Sequence, residues 1–249
     1  MIMRYELYMD GTSLSSISDR IVVTDIKYAP AVRSFNQSKV AHRGGYIISN
    51  GYYDKTSVQV TFSVREYSIR ERQSIIQNIC KWADGRILET SDRIGQRLKC
   101  KCVKYPDLSA LNWTENLSMT FQSDVNPLWE SKFMTEIQLT GTSGSSSVFV
   151  EGSAGESLVE AEITTEATLN TVTLTVGETS MTIAKSDMGN VVLSYNEKSV
   201  LSIKHSTTSL LPYRTGSDDL LAKCGAFNQF SFSSNASCTV KFKTRGCWH

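Results

Sequence analysis

Hydrophobic residues recur at every second position in one short stretch after another, and this spacing limits the fold more than any other feature of the sequence. Val58, Val60, Phe62 and Val64 alternate with polar neighbours, as do Leu117, Met119 and Phe121 and the run Val172, Leu174 and Val176. A period of two puts all the apolar side chains on one face of a strand, so such segments are half-buried β-strands. One stretch breaks the rule. Ser68-Ile69-Arg70-Glu71 has the spacing of a capping box, and behind it Ile69, Arg72, Ile76, Cys80 and Ala83 form a helical stripe flanked by Ile75, Ile79 and Trp82. With Gly85 as its stop, this predicts one helix of about four turns from Ser68 to Ala83. One helix among many strands predicts a mainly β chain whose N-terminal part is α+β.

Texture changes near residue 141. The residues before it carry 18 Lys+Arg against 15 Asp+Glu, with three of the four tryptophans, and those after it carry 8 against 10, with many Ser, Thr and Val. Gly141-Thr142-Ser143-Gly144-Ser145-Ser146-Ser147 has the composition of a flexible linker. The expected organisation is therefore a domain over 1–140, a Gly/Ser linker over 141–149 and a second domain over 150–249. In the first, further strands are expected at Leu98, Cys100 and Cys102 and at Phe133, Thr135, Ile137 and Leu139. In the second, alternation at Met181-Ile183, Val191-Leu193-Tyr195, Leu201-Ile203, Phe230-Phe232 and Cys238-Val240-Phe242 is broken by turn signals. These fall at Gly177-Glu178, Gly189-Asn190, Asn196-Glu197 and Ser234-Asn235. Strands at roughly ten-residue spacing predict a β-sandwich or jelly roll.

Charge and chemistry exclude several classes of function. A net charge of +1 with no dominant basic block argues against nucleic-acid or anionic-membrane binding as the main task. The start Met1-Ile2-Met3-Arg4-Tyr5-Glu6 has no signal-peptide core, which predicts folding in a reducing cytoplasm. There the six cysteines, Cys80, Cys100, Cys102, Cys224, Cys238 and Cys247, are read as small buried hydrophobes, since no C-x-x-C pair offers zinc spacing. His42, His205 and His249 have no metal-ligand spacing, and no nucleophile elbow, Walker loop or dinucleotide fingerprint is present. The acids Asp218-Asp219 and Glu160, Glu162 and Glu166 remain as the parts for a glycan hydrolase, and surface acids on a β-protein are ordinarily solvated. No catalytic, metal or cofactor site is expected. The sequons at Asn36, Asn112, Asn116 and Asn235 are chance matches without a secretory signal.

Two surface features stay open on sequence alone. Arg97, Lys99 and Lys101 are either pore-facing phosphate contacts or a solvated row opposite Leu98, Cys100 and Cys102. Tyr195, Tyr213 and Trp248 are candidate stacking platforms for sugar rings, or core and turn residues.

Read in order, the motifs form a pattern. Arg43-Gly44-Gly45-Tyr46 precedes the strand Thr56 to Val64, then the helix ending in Trp82-Ala83-Asp84-Gly85, then Leu88-Glu89-Thr90-Ser91-Asp92-Arg93 and finally Asn126-Pro127-Leu128-Trp129. This series over roughly residues 1–140 resembles the siphophage distal tail protein family, and Gly225-Ala226-Phe227-Asn228-Gln229-Phe230-Ser231-Phe232 resembles its closing strands. The family's turn commonly reads Pro-Gly-x-Asn where Lys223-Cys224-Gly225 stands here. The resemblance implies an N-terminal tail-tube-like β-barrel or sandwich with one helix and a C-terminal galectin-like β-sandwich. It further implies a homo-hexamer, or a dodecamer made of two rings, that joins the tail tube protein to tail tip and receptor-binding proteins. DNA would be only transient cargo through its channel. No membrane anchoring is implied, and the expected location is the virion tail tip after assembly in the host cytoplasm. A carbohydrate-binding adhesion module without catalysis is the alternative.

Overall fold

The computed structural model describes residues 5–34, 37–39, 46–48, 52–107, 115–124, 126–196 and 199–249. His42, Arg43, Gly44, Gly45, Asn36, Asn112 and Glu197 lie outside the described residues. The chain divides into two compact units, Met1–Trp129 with His249 and Glu130–Trp248.

In the first unit seven strands follow one another in an antiparallel sheet. Their order is Thr12–Ser13, Leu7–Met9, Ile87–Thr90, Gln96–Lys104, Leu117–Ser123, Ser57–Val64 and Ile21–Ala29. The two outermost strands are consecutive in sequence and joined through the 3-10 turn Leu14–Ser16. A flat sheet would hold these edges roughly 29 Å apart. The connecting steps, one 3-10 turn included, span only about 24 Å. The sheet is therefore curled, and the alternating residues Val58, Val60, Phe62, Leu117, Met119 and Phe121 are buried in it.

The helix Ile69–Ala83 forms where its cap and periodicity place it. Ser68 Oγ accepts the Glu71 N–H at 3.5 Å, whereas the Ser68 N–H donates to Glu66 Oε1 at 2.9 Å. The return arm of the box is thus Glu66 rather than Glu71. The buried stripe is Arg72, Ile76, Ile79 and Ala83, and Ile69, expected inside, is 52% exposed at the first turn. Trp82 pins the C-terminal end, its Nε1 donating to Thr12 O at 2.8 Å and its ring meeting Phe121 edge-on at 6.3 Å. At another corner of the unit the Arg93 guanidinium lies 4.6 Å from the Tyr28 ring and 4.8 Å from the buried Trp129 ring, and Arg93 Nη1 donates to His249 O at 3.1 Å.

The second unit is a β-sandwich built around one continuous strand, Ala226–Thr244. Along one side it pairs with Thr135–Val150 over nearly its whole length. On the other side its end pairs with Glu156–Thr164 and its beginning with Leu169–Val176. Glu156–Thr164 continues through Val191–Tyr195, Leu201–His205 and Thr208–Ser209, and Leu169–Val176 through Thr179–Met188 and Arg214–Gly216. Two groups of strands thus face each other and bury Val159, Ile163, Val172, Leu174, Ile183, Leu193, Phe232 and Val240.

Three expectations are corrected here. Residues 141–149 are not a linker but part of the strand Thr135–Val150, because Ser143 to Phe149 each find a register partner between Ser233 and Phe227. The turn signal at Ser234-Asn235 is not a chain reversal between strands but a corner within one strand, where the register jumps between Gly141 and Ser143. Phe133, placed on a buried strand face by its spacing, precedes that strand and is 71% exposed.

Phe230 and Phe242 are both fully buried, with ring centroids 5.6 Å apart. Phe230→Ala is expected to cost about 3–5 kcal/mol, measured as a lowered calorimetric transition of the second unit. Phe242→Ala should cost a similar amount, and the double variant less than the two together, since both remove one shared contact. Ser68→Ala, which removes only a long cap bond, should cost about 1 kcal/mol or less in the first unit.

Candidate interaction surfaces

The surfaces follow from which strand edges and faces the topology leaves open. Among the described residues, no strand pairs with the outer edge of Thr135–Val150 or of Ile21–Ala29. An unpaired edge offers a row of backbone N–H and C=O groups to another chain. Natural edges are usually guarded by Lys or Pro, yet Thr135–Val150 has neither, and its only charged residue is Glu136, bound by Lys241 at 2.6 Å. Small residues line the second half of that edge: Ser143, Ser145 and Ser147 are exposed beside their partners Ser233, Ser231 and Gln229.

The outward face of the same sheet is rich in hydroxyls. Thr173 and Thr182 hydroxyls meet at 2.9 Å across adjacent strands, and Thr175 and Ser180 at 3.0 Å. At one end of this face two aromatic rings stand in solvent. Phe149 and Phe227 are register partners, 46% and 73% exposed, with centroids 5.4 Å apart in an edge-on arrangement. Sequence reasoning did not single them out, although both break an otherwise polar outward row.

The three aromatic candidates have different environments. Tyr195 packs against the core, and its hydroxyl oxygen accepts the Leu220 N–H at 3.3 Å. Burial, with the nearby Asp219 carboxylate, pushes its phenol above the ordinary tyrosine value. Tyr213 is 43% exposed, lies 5.3 Å from Lys185 Nζ across its ring face and lines a shallow depression of about 570 Å³ with Asn170, Ala184, Lys185 and Ser186. Trp248 is half-buried in the two-residue strand Cys247–Trp248. Of the three, Tyr213 alone is exposed and lines that depression.

The other candidates have structural partners or solvated positions. Lys99 and Lys101 are exposed opposite buried Leu98 and Cys100, the solvated-row reading, and Lys101 pairs with Asp124 at 3.1 Å. Asp218 holds Arg214 Nη2 at 2.6 Å, Glu162 holds Lys243 at 2.5 Å, Glu160 accepts the Tyr195 N–H at 3.4 Å and Glu166 is exposed. The His205 Nδ1 sits in the turn before Val191, 3.2 Å from the Gly189 nitrogen and 3.0 Å from Asn190 O. Of the cysteines, Cys100, Cys238 and Cys247 are buried and Cys80, Cys102 and Cys224 partly so. Burial pushes the Cys100 thiol up to about 12.

No protein-family model and no curated protein sequence matches the chain. Solved structures do. The Dit protein of phage SPP1, described as a paradigm of the hub adsorption apparatus in phages infecting Gram-positive bacteria, superposes with a TM-score of 0.67 at 11% identity. That match covers 98% of this chain and 99% of that one, so the chain has the mainly β fold of a phage distal tail protein from end to end. Two structures of the phage p2 baseplate in its activated conformation, with calcium and with strontium, match at TM-score 0.48 and 9% identity. They cover 99% and 97% of this chain and 98% and 97% of the matched chains.

The exposed aromatic pair is a surface feature, so the double variant Phe149→Ser with Phe227→Ser should cost about 1 kcal/mol or less. Calorimetry checks this, and the same variant should elute earlier than the parent from a hydrophobic-interaction column.

Proposed function

We propose that the chain is a structural distal tail protein of a phage or prophage, acting through subunit contacts and without catalysis. The observation that supports this reading is the end-to-end likeness of fold to the phage SPP1 Dit protein. In it, copies of the chain close into a hexameric ring, or a dodecamer of two rings, through a tail-tube-like first domain. The galectin-like second domain points outward. The ring joins the tail tube protein to the tail tip and to receptor-binding proteins, and DNA passes through its channel. It belongs at the virion tail tip, after assembly in the host cytoplasm.

The physics of such a part agrees with the surfaces described. A ring uses heterologous contacts, in which one patch of a subunit meets a different patch of the next. Two open strand edges supply that kind of contact without a reactive side chain. Two of the acids that a glycan hydrolase would draw on, Asp218 and Glu162, are ion-paired with Arg214 and Lys243.

Light scattering on the purified full chain tests the proposal. A hexamer or dodecamer is expected at micromolar concentration. A stable monomer that binds glycan would overturn the hub reading in favour of the adhesion module, and the hydroxyl-rich face beside Phe149 and Phe227 is where that binding would map.

A further inference from the structure

Two cysteines separated by the whole of the long strand meet in the second unit. Cys224 directly follows the strand Leu221–Lys223, and Cys247 begins the strand Cys247–Trp248. The same bend anchors both. The Cys224 N–H donates to Gly155 O at 3.0 Å, while the N–H groups of Ser153 and Ala154 donate to Cys247 O at 2.9 and 3.1 Å. Gly152 lies between them with φ +127°. A Cβ there would stand 3.0 Å from Cys224 Cβ and 2.8 Å from the Cys247 nitrogen, and would overlap the Cys247 carbonyl oxygen. Glycine thus leaves room for the two cysteines to approach each other.

The thiol and the backbone N–H of Cys247 both face the Cys224 sulfur, and the Cys247 thiol also donates to Arg245 O at 3.8 Å. These donors hold the Cys224 thiol below its ordinary value against the opposing effect of burial. Cys247, 4% exposed, is held above by the neighbouring Cys224 sulfur and by burial. Cys224 is partly open to solvent. A partly exposed thiol beside a buried second thiol is the arrangement that thiol–disulfide exchange uses, the exposed sulfur attacking first and the buried one resolving.

We propose that Cys224 and Cys247 form a thiol–disulfide exchange site that takes a small disulfide such as oxidised glutathione and ends as an intramolecular disulfide. The Cys224 thiolate attacks one sulfur of oxidised glutathione, forming a Cys224–glutathione bond as the glutathione disulfide breaks. The leaving glutathione thiolate takes up the proton that Cys224 lost. Cys247 then gives up its thiol proton and attacks the Cys224 sulfur, and the second glutathione leaves with that proton. The two cysteines lose two electrons and the oxidant gains them, becoming two glutathione thiols. The product ties the terminal strand to Leu221–Lys223 and closes a covalent loop around the whole of Ala226–Thr244.

The test uses the full chain under native conditions at neutral pH with excess oxidised glutathione, quenched by acid and mapped by peptide mass spectrometry. Expected is a Cys224–Cys247 cross-linked peptide, preceded by a transient glutathione adduct on Cys224. Cys100 and Cys238 should stay as free thiols. In Cys247→Ser the adduct on Cys224 should persist, and in Cys224→Ser position 247 should stay unmodified. Before any variant is made, iodoacetamide should label Cys224 in the native parent chain roughly tenfold or more faster than Cys100. The proposal is overturned if glutathione remains on Cys224 in the parent chain, if Cys224 takes no glutathione, or if the cross-links formed join other cysteines or separate chains.

Discussion

The second unit depends on a single strand that turns a corner without ending. Phe230 and Phe242 are twelve residues apart on Ala226–Thr244, which would separate them by about 40 Å along a straight strand. Their rings meet at 5.6 Å. The strand therefore bends sharply at the corner and contributes side chains to both layers of the core. The register of its partner Thr135–Val150 breaks between Gly141 and Ser143, opposite the corner, and Gly141 takes φ +134° there. Side chains make up for ladder bonds lost at the corner. Asn235 Oδ1 accepts the N–H groups of Asn170 and Thr171 at 2.8 and 3.0 Å, and Ser234 Oγ donates to Ala236 O at 2.7 Å.

That corner also explains what could and could not be read from the sequence. Alternation identified the inward faces in this unit because a period of two is a local property, and Val172, Leu174, Val176, Met181 and Ile183 are all fully buried. The corner and the edge strand were misread for a physical reason. Ser and Asn bond backbone groups whether a chain reverses or merely bends, so Ser234-Asn235 carries the same signal in both cases. Gly and Ser are favoured in linkers for freedom and at this edge for close approach. A Cβ on Gly144 would lie 3.1 Å from the Phe232 ring and 3.3 Å from Leu139 Cβ. Composition alone does not separate the two uses.

Pairings distant in sequence were the least legible part of the surface. Cys224 and Cys247 share no spacing motif, and only the path of the strand between them together with the Gly152 bend brings them together. Phe149 and Phe227 are likewise neighbours only by register. The helix shows the intermediate case. Its cap and length followed from Ser68 and Gly85, yet the buried stripe includes Ile79, and Ile69 at the first turn is exposed.

The structural division moves the charge balance in a direction that matters for assembly. With the boundary at Glu130 rather than in the Gly/Ser run, residues 1–129 hold 17 basic against 13 acidic residues and residues 130–249 hold 9 against 12. The near-neutral chain thus joins a unit of net +4 to one of net −3. Charges of this size are screened beyond roughly 8–10 Å at physiological salt. They contribute more to the orientation of an encounter than to its strength. Where one copy meets another, opposite signs favour the positive unit of one against the negative unit of the other and disfavour like against like.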